Sequence, residues 1–529
     1  MIKIGLFWRT IKHLTIRQIV YQVIYRLRRP AKLRLPKTGP IVNLLAVPAA
    51  DKPISWRNDE FAFLNQSVHF ATRIGWNYDS LGKLWTYHLN YFDFLNQPGM
   101  TPTTGLCLIL DFVAQTADQQ IGLESYPTSL RIQNWVQFLS RHQLQNEAVN
   151  RHLWAQVALV DQRLEYHLSG NHLLENAFAL LTGALYFQNE RWFRKAVWLV
   201  RQELTMQVLV DGGHYERSPV YHQLLLDRLL DALLNLQGIT AFQDSGFVNF
   251  LRYQATRMLH FLIGITFRNG DVAMVNDAAP GMAPSTAQLG QKAVSVGISW
   301  TDAPAALTES GYRMFRQSRC ELLADVGLVG PNHQPGHAHA DTLSFVLYVD
   351  NRPVLVDTDT STYQSGCRRE WERSTAAHNT VTIDGSDSSE VWASFRIGRR
   401  ARVTVLTDTQ TELIARHDGY RRLGCLHERT WRLEPTRLII VDQLLNVQTG
   451  ARLDRSGVAR FYFHPSVSVH SIGDTIRAGS LKITLFSATK PEFAVIRAQL
   501  ADGFNRLQPA YCLEVSFSGE LETVLTLCE

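Results

Sequence analysis

At 529 residues, with 45% hydrophobic and 19% charged side chains, the chain holds material for roughly two to four domains with full cores, which excludes a disordered protein. The formal net charge of +5 suits an anionic partner but is too mild for a nucleic-acid-binding protein, and no basic recognition helix or RNA-binding signature accompanies it. Six scattered cysteines without a C-x-x-C pair argue against a disulfide scaffold, and no apolar run reaches the about eighteen residues of a transmembrane helix.

Residues 1–55 read as a basic, apolar-containing helix followed by an extended linker with Pro30, Pro36, Pro40, Pro48 and Pro53. The cluster Arg26-Leu-Arg-Arg29 and Lys32-Leu-Arg34 reads first as a solvated basic face, with a membrane-surface or assembly contact as the alternative. Lys3, Arg9, Lys12 and His13 interrupt the apolar stretch a secretory signal needs. A cytoplasmic location is therefore the default expectation, with periplasmic or membrane-associated placement as the alternative.

Over 56–305 the apolar spacing is helical. Leu173, Leu174, Ala177, Phe178, Leu181 and Leu185 share one wide face, and similar periods run through 153–168, 191–209, 221–236 and 247–267. Antiparallel helix pairs with short connections build either a solenoid or a closed α/α toroid. After the division near Thr301–Ala305 the texture changes to β-branched and alternating runs over 342–349, 354–356, 379–383 and 438–442. Turns at Asp350-Asn351, Asp384-Gly385 and Glu434-Pro435 separate them. Strand after strand without helical spacers predicts an antiparallel sandwich or roll over 306–529, and so an α+β multidomain chain.

Three clusters carry chemistry. Ser169-Gly-Asn-His172 opens a helix, where Asn also serves as a good N-cap. Asp211-Gly-Gly-His-Tyr-Glu-Arg-Ser-Pro-Val-Tyr-His222 sets a glycine turn before a helix with Pro219 in its first turn. A turn needs the glycines, but not the titratable groups of His214, Tyr215, Glu216, Arg217, Tyr221 and His222. The third cluster is Gly336-His-Ala-His-Ala-Asp341 entering a strand, with Asp357 and His378 on the strands beyond. Alternate residues of a strand share a face, so His337 and His339 point the same way. Two His and one Asp from neighbouring strands can close three positions around a zinc-like ion, the other reading being ordinary hydrogen-bonded histidines.

Gly170-Asn-His-Leu-Leu-Glu-Asn176, Asp211 to Tyr221, Asn276-Asp-Ala-Ala279, Gly336-His-Ala-His-Ala-Asp-Thr-Leu-Ser-Phe345 and Ala377-His-Asn-Thr-Val381 resemble, in order and spacing, the heparinase II/III family. The resemblance implies an incomplete α/α toroid followed by an antiparallel β-sandwich, with the site in the cleft between them. It also implies a polysaccharide lyase acting on uronate-containing chains, such as a glycosaminoglycan or an exopolysaccharide. By the same resemblance Asn171 binds the uronate carboxylate, Tyr221 is the catalytic tyrosine, and His172 and His337 are active-site histidines. His339, Asp357 and His378 match ligands of a structural Zn2+, and no organic cofactor is implied. Family members carry either an acid or Asn at position 171, so this residue bears on which acidic sugar is taken.

Such a lyase removes a weakly acidic proton next to the uronate carboxylate and expels the 4-linked sugar. Charge developing on the carboxylate needs donors, here Asn171 and a neighbouring His. Tyr221 is expected as the acid, with His172 or His337 as a base suited to neutral pH or, in a syn elimination, Tyr221 itself as the base. A second group, Tyr87, His88, Asn90 and Arg131 with Trp135, is a sugar-contact candidate for which helix packing is an equal reading. Arg217 is either a clamp for a substrate carboxylate or, equally, one half of a helix-surface salt bridge.

Two rivals stand beside the lyase. One is a glycoside hydrolase using Glu216 and Asp277, whose inverting chemistry needs carboxylates about 6.5–9.5 Å apart. The other is a non-catalytic glycan-binding factor in surface-polysaccharide synthesis. The interrupted signal region also favours trimming or editing of a surface polysaccharide over degradation.

Overall fold

The computed structural model describes residues 4–116, 121–239, 241–242, 244–299 and 306–528. Two short helices come first, Ile4–Ile11 and Ile16–Leu27, and then an extended stretch whose prolines forbid regular pairing. That stretch runs across the helical domain, where Arg151 donates to the Pro36 carbonyl (2.9 Å) and Arg141 to that of Pro48 (2.9 Å). Residues 56–69, expected at the edge of the helical region, instead form a small three-stranded antiparallel sheet. Its alternating Phe61 and Phe63 are buried against the aromatic end of the helical core.

Helices Pro102–Gln115, Glu147–Gln162, Glu190–Gln207, Pro219–Asn235 and Ser245–Ile265 each start on a side-chain cap. The caps are Thr101, Asn146, Asn189, Ser218 and Asp244, each accepting from a backbone N–H three residues on. Such a bond is worth about 1 kcal/mol and fixes where each helix begins. With Ser125–Arg141 and Gly170–Tyr186 they enclose one core that includes Trp135, Leu153, Leu181, Leu199, Leu226 and Leu259. The arrangement is an incomplete α/α toroid.

The last toroid helix, Thr286–Ser295, and the first sandwich strand, Tyr312–Arg316, bracket the expected division, which lies at 301–305, outside the described residues. Beyond it an eight-stranded sheet and two four-stranded sheets pair antiparallel throughout. Alternation along Cys425–Glu434 places Trp431 and Leu433 in their common core. Phe267 of the toroid stacks on Tyr348 of the sandwich at 3.8 Å, and the Asp211 carboxylate accepts from the Ser310 N–H at 2.8 Å. These contacts bring the loops of the two domains to one cleft.

Candidate active site

The Ser169–His172 turn is built by positive backbone angles at Ser169 (φ 61°) and Gly170 (φ 55°). A Cβ on Gly170 would come within 2.6 Å of Glu216 Oε1, so glycine is required for this approach. Asn171 lies inside the helix, not at its cap. Its backbone N–H donates to Glu216 Oε1 at 3.4 Å and its amide lies 3.5 Å from the Tyr126 hydroxyl. Asn171 and His172 are half-exposed in a helix that is otherwise almost wholly buried. A helix N-terminus carries partial positive charge, so this end favours an anion.

His172 Nδ1 lies 3.4 Å from Glu165, and its ring lies tilted against that of Tyr126, centroids 4.3 Å apart. Burial opposes a charged imidazole, but Glu165, with Glu216 and Glu175 beyond it, outweighs burial and raises the pKa. His172 is thereby biased towards the cation.

Tyr221 sits in the first turn of Pro219–Asn235, with Pro219 at the helix start and Ser218 as cap. Its ring stacks on His337 at 3.9 Å and its hydroxyl lies 3.0 Å from that of Tyr363. Burial first, then Tyr363 and Asp277, pushes its pKa well above the ordinary phenol value. His337 Nδ1 meets Asp277 Oδ2 at 2.9 Å, and its Nε2 is 3.7 Å from Glu216 Oε2. Glu216 therefore bridges the Asn171 turn and His337. Burial raises the pKa of Glu216, so it binds a proton more readily than an ordinary carboxylate.

Asp277 is the hub. Besides His337 it meets His339 Nε2 at 2.9 Å and accepts from Arg369 at 2.7 Å and from Thr360 at 3.3 Å. Burial alone would raise its pKa, but Arg369 and the two histidines hold it well below the usual carboxylate range. Both His337 and His339 thus face one carboxylate. Gly336–Asp341, however, is loop, and the strand begins only at Phe345. The carboxylate itself, not a strand's alternation, turns the two rings to the same side.

Asp277 and Glu216 are 0% and 1% exposed, and the first is neutralised by a guanidinium. This corrects the hydrolase pair: neither carboxylate is open to an attacking water. Arg217, read as a substrate clamp, is also corrected. Its guanidinium donates to the carbonyls of Ser310, Leu328 and Glu309 at 2.9–3.3 Å and stitches the two domains together. Asn90 and Arg131 are both wholly buried. Arg131 donates to Gln156 and to the carbonyls of Asn90 and Gly122, while the Asn90 amide donates to those of Trp76 and Thr86. They brace the helices, and Trp135 belongs to the core. Tyr87 and His88 stay half-exposed, and rings continue from His88 through Tyr91 (4.9 Å) to Tyr126 (6.1 Å) and His172.

Of the expected metal ligands, His378 Nδ1 is 2.8 Å from Asp357 and its ring is 5.3 Å from that of His339. His339 Nδ1 and His378 Nε2 are buried with no hydrogen-bond partner among the described residues, but Asp357 sits on Nδ1, the other side of the His378 ring, so an ion shared with Asp357 would replace the proton on that nitrogen. The donor chemistry fits zinc. Among the described residues, though, no group of three or more His, Cys, Asp or Glu side chains is drawn together closely enough to hold a metal. Tyr126, Tyr363, Glu165 and Arg369 were missed in the sequence. Single residues in loops or helix ends, they carry no spacing signal.

Residues 120–296 match the family model described as Heparinase II/III N-terminus, and 301–525 match Heparinase II/III-like, C-terminal. A heparin-sulfate lyase of Bacteroides stercoris is 22% identical over 313 residues, 54% of this chain and 45% of the relative. One from Pedobacter heparinus is 25% identical over 248 residues, 42% of this chain and 37% of the relative. The chain thus spans less than half the length of these curated relatives. A crystal structure of heparinase III superposes with a TM-score of 0.67 at 15% identity, covering 97% of this chain and 89% of the other. A heparan sulfate lyase from Pedobacter heparinus gives 0.56 at 15% identity, over 97% and 88%. At this identity the likeness is one of fold.

Proposed function

The chain belongs to the heparinase II/III family, and from that premise we propose that it is a polysaccharide lyase that cleaves uronate-containing chains by β-elimination. The observation that carries this reading is the joined set of Asn171, Glu216, His337 and Tyr221, linked through one buried carboxylate and one ring stack. The uronate carboxylate binds at the helix N-terminus, between the Asn171 amide and the cation of His172, which stabilise charge as the C5 proton leaves. His337 is the base. With a proton on Nδ1 donated to Asp277, Nε2, which lies 3.7 Å from Glu216, is the nitrogen that takes the substrate's proton. The raised pKa keeps Tyr221 a phenol, so it donates to the departing 4-oxygen. Half-exposed Tyr87, His88 and Tyr126 offer ring faces to the flanking sugars.

The acidic sugar class rests on the anion-favouring end at Asn171. A heparin-sulfate chain, named in the curated relatives, is the first candidate. Zinc held by His339, Asp357 and His378 is part of the proposal. When bound it supplies positive charge and ties three loops, with no role in the elimination. Metal analysis of the purified protein tests it, and a metal-free preparation of unchanged thermal stability counts against it. Incubation with a panel of acidic polysaccharides tests the activity. Near-ultraviolet absorbance from an unsaturated uronate is expected, and saturated reducing ends alone would refute elimination.

A further inference from the structure

Helix Ile16–Leu27 starts on a capping box between Thr15 and Gln18 and has two faces. One is docked: Tyr21 lies against Tyr166 (4.7 Å), Tyr25 stacks on His167 (4.1 Å), and Gln18 donates to the His333 carbonyl (3.1 Å). The other carries Ile16, Ile19, Val20, Val23, Ile24 and Leu27, all exposed, Ile16 by 81% and Leu27 by 79%. Their spacing draws a single stripe over roughly 140° of the helix surface. Phe7 and Trp8 of the preceding helix are also exposed. Leaving such a stripe in water costs free energy, and a patch of this kind marks an interaction surface.

The charge around it selects the occupant. Residues 1–50 hold ten Lys and Arg and no Asp or Glu. The remaining 43 Lys and Arg stand against all 48 acids, so residues 51–529 are net negative by five. The net positive charge of the chain thus comes from this segment, and within it Arg17 and Arg26 border the apolar stripe, Arg17 also pairing with the buried Glu203 at 3.3 Å. Two copies paired about a two-fold axis would bring Arg17 and Arg26 of one against those of the other, and of the two only Arg17 has an acid beside it. The helix has twelve residues, and among the described residues no helix is long and apolar enough to cross a membrane. An apolar stripe bordered by cations fits the surface of an anionic bilayer, with the stripe among acyl chains and the cations at the headgroups.

We propose that the exposed face of Ile16–Leu27, helped by Phe7 and Trp8, docks the protein on an anionic lipid surface, with the helix lying in the membrane plane. The acidic body is repelled from the same surface and faces away from it. Tyr166 and His167, on which the helix rests, immediately precede the Ser169–His172 turn. Docking therefore holds that end of the cleft close to the membrane. The proposal does not depend on the lyase reading.

The test is co-sedimentation of the full chain with phosphatidylglycerol–phosphatidylcholine vesicles and with phosphatidylcholine vesicles alone, at low and high salt. Binding to the anionic vesicles, weakened by salt and at least roughly tenfold weaker in a Val20→Glu, Val23→Glu double variant, is expected. Both side chains are exposed, so circular dichroism and melting of the variant should match the parent. No binding, binding unaffected by the double substitution, or equal binding to neutral vesicles would overturn the proposal. So would a concentration-dependent dimer in vesicle-free buffer that the double substitution abolishes, since it assigns the face to a second copy. No sugar enters the assay, so its failure leaves the lyase reading untouched.

Discussion

Tyr221 lies face to face with His337, ring centres 3.9 Å apart, while Asp277 takes the far nitrogen of the same imidazole at 2.9 Å. The proposed acid and base are therefore held as one packed unit by a carboxylate that is itself neutralised by Arg369.

Tyr221→Phe keeps the ring stack and removes only the hydroxyl. Turnover on an accepted acidic polysaccharide should fall about a hundredfold to ten-thousandfold, with KM little changed. Tyr363→Phe removes only the neighbouring hydroxyl and should cost less. Initial-rate absorbance assays on both variants check this, and unchanged turnover in Tyr221→Phe would remove the tyrosine from the acid role.

Asp277→Asn leaves Arg369 buried without its ion partner and sets an amide against two imidazoles. Breaking a buried pair costs about 3–5 kcal/mol, so the variant should unfold at clearly lower denaturant concentration. Activity should drop with it, since His337 loses the acceptor that sets its tautomer. An Asn variant as stable as the parent would show that the hub is not what holds the cleft together.

His172 has its pKa raised above 6.5 by Glu165. Its stabilising contribution is complete below the ordinary value of 6.5 and is lost as pH rises through the raised folded value. Substrate affinity should weaken over the same interval as the cation discharges. In Glu165→Gln that limb of the kcat/KM profile should move to lower pH. A limb that stays in place would mean another group titrates there.

Arg217→Lys keeps the charge but cannot reach the carbonyls of Ser310, Leu328 and Glu309 from one planar group. A loss of about 2–3 kcal/mol in stability is expected, with KM unchanged where the protein remains folded. A raised KM at unchanged stability would restore Arg217 to the substrate.

Most of the architecture was legible before folding. Helical periods near Gly170–Tyr186 and Pro219–Asn235, and β-branched runs near Phe345–Val349 and Arg437–Asn446, fall where the structure has its elements. Burial of one face writes its period into the chain. The sheet over 56–69 was missed because its strands are four residues or fewer. Gly336–Asp341 imitates the start of a strand because apolar Ala338 and Ala340 alternate with polar neighbours. The alternation is real, but both alanines are buried beneath a loop.

The sequence alone determined the two domain textures, the family motifs and the candidates Asn171, His172, Tyr221 and His337, because each lies in a local pattern of capping, glycine turns or alternation. Only the tertiary structure decided that Arg131, Asn90 and Arg217 are bracing groups, that Asp277 is a neutralised hub, and that Tyr126 and Tyr363 adjoin the site. Apart from the Asn90 amide, which reaches Trp76 and Thr86, each of those facts depends on a partner at least 25 positions away in the chain. Composition and period record only what each residue buries, whereas the identity of a distant partner is set by how toroid and sandwich close on each other.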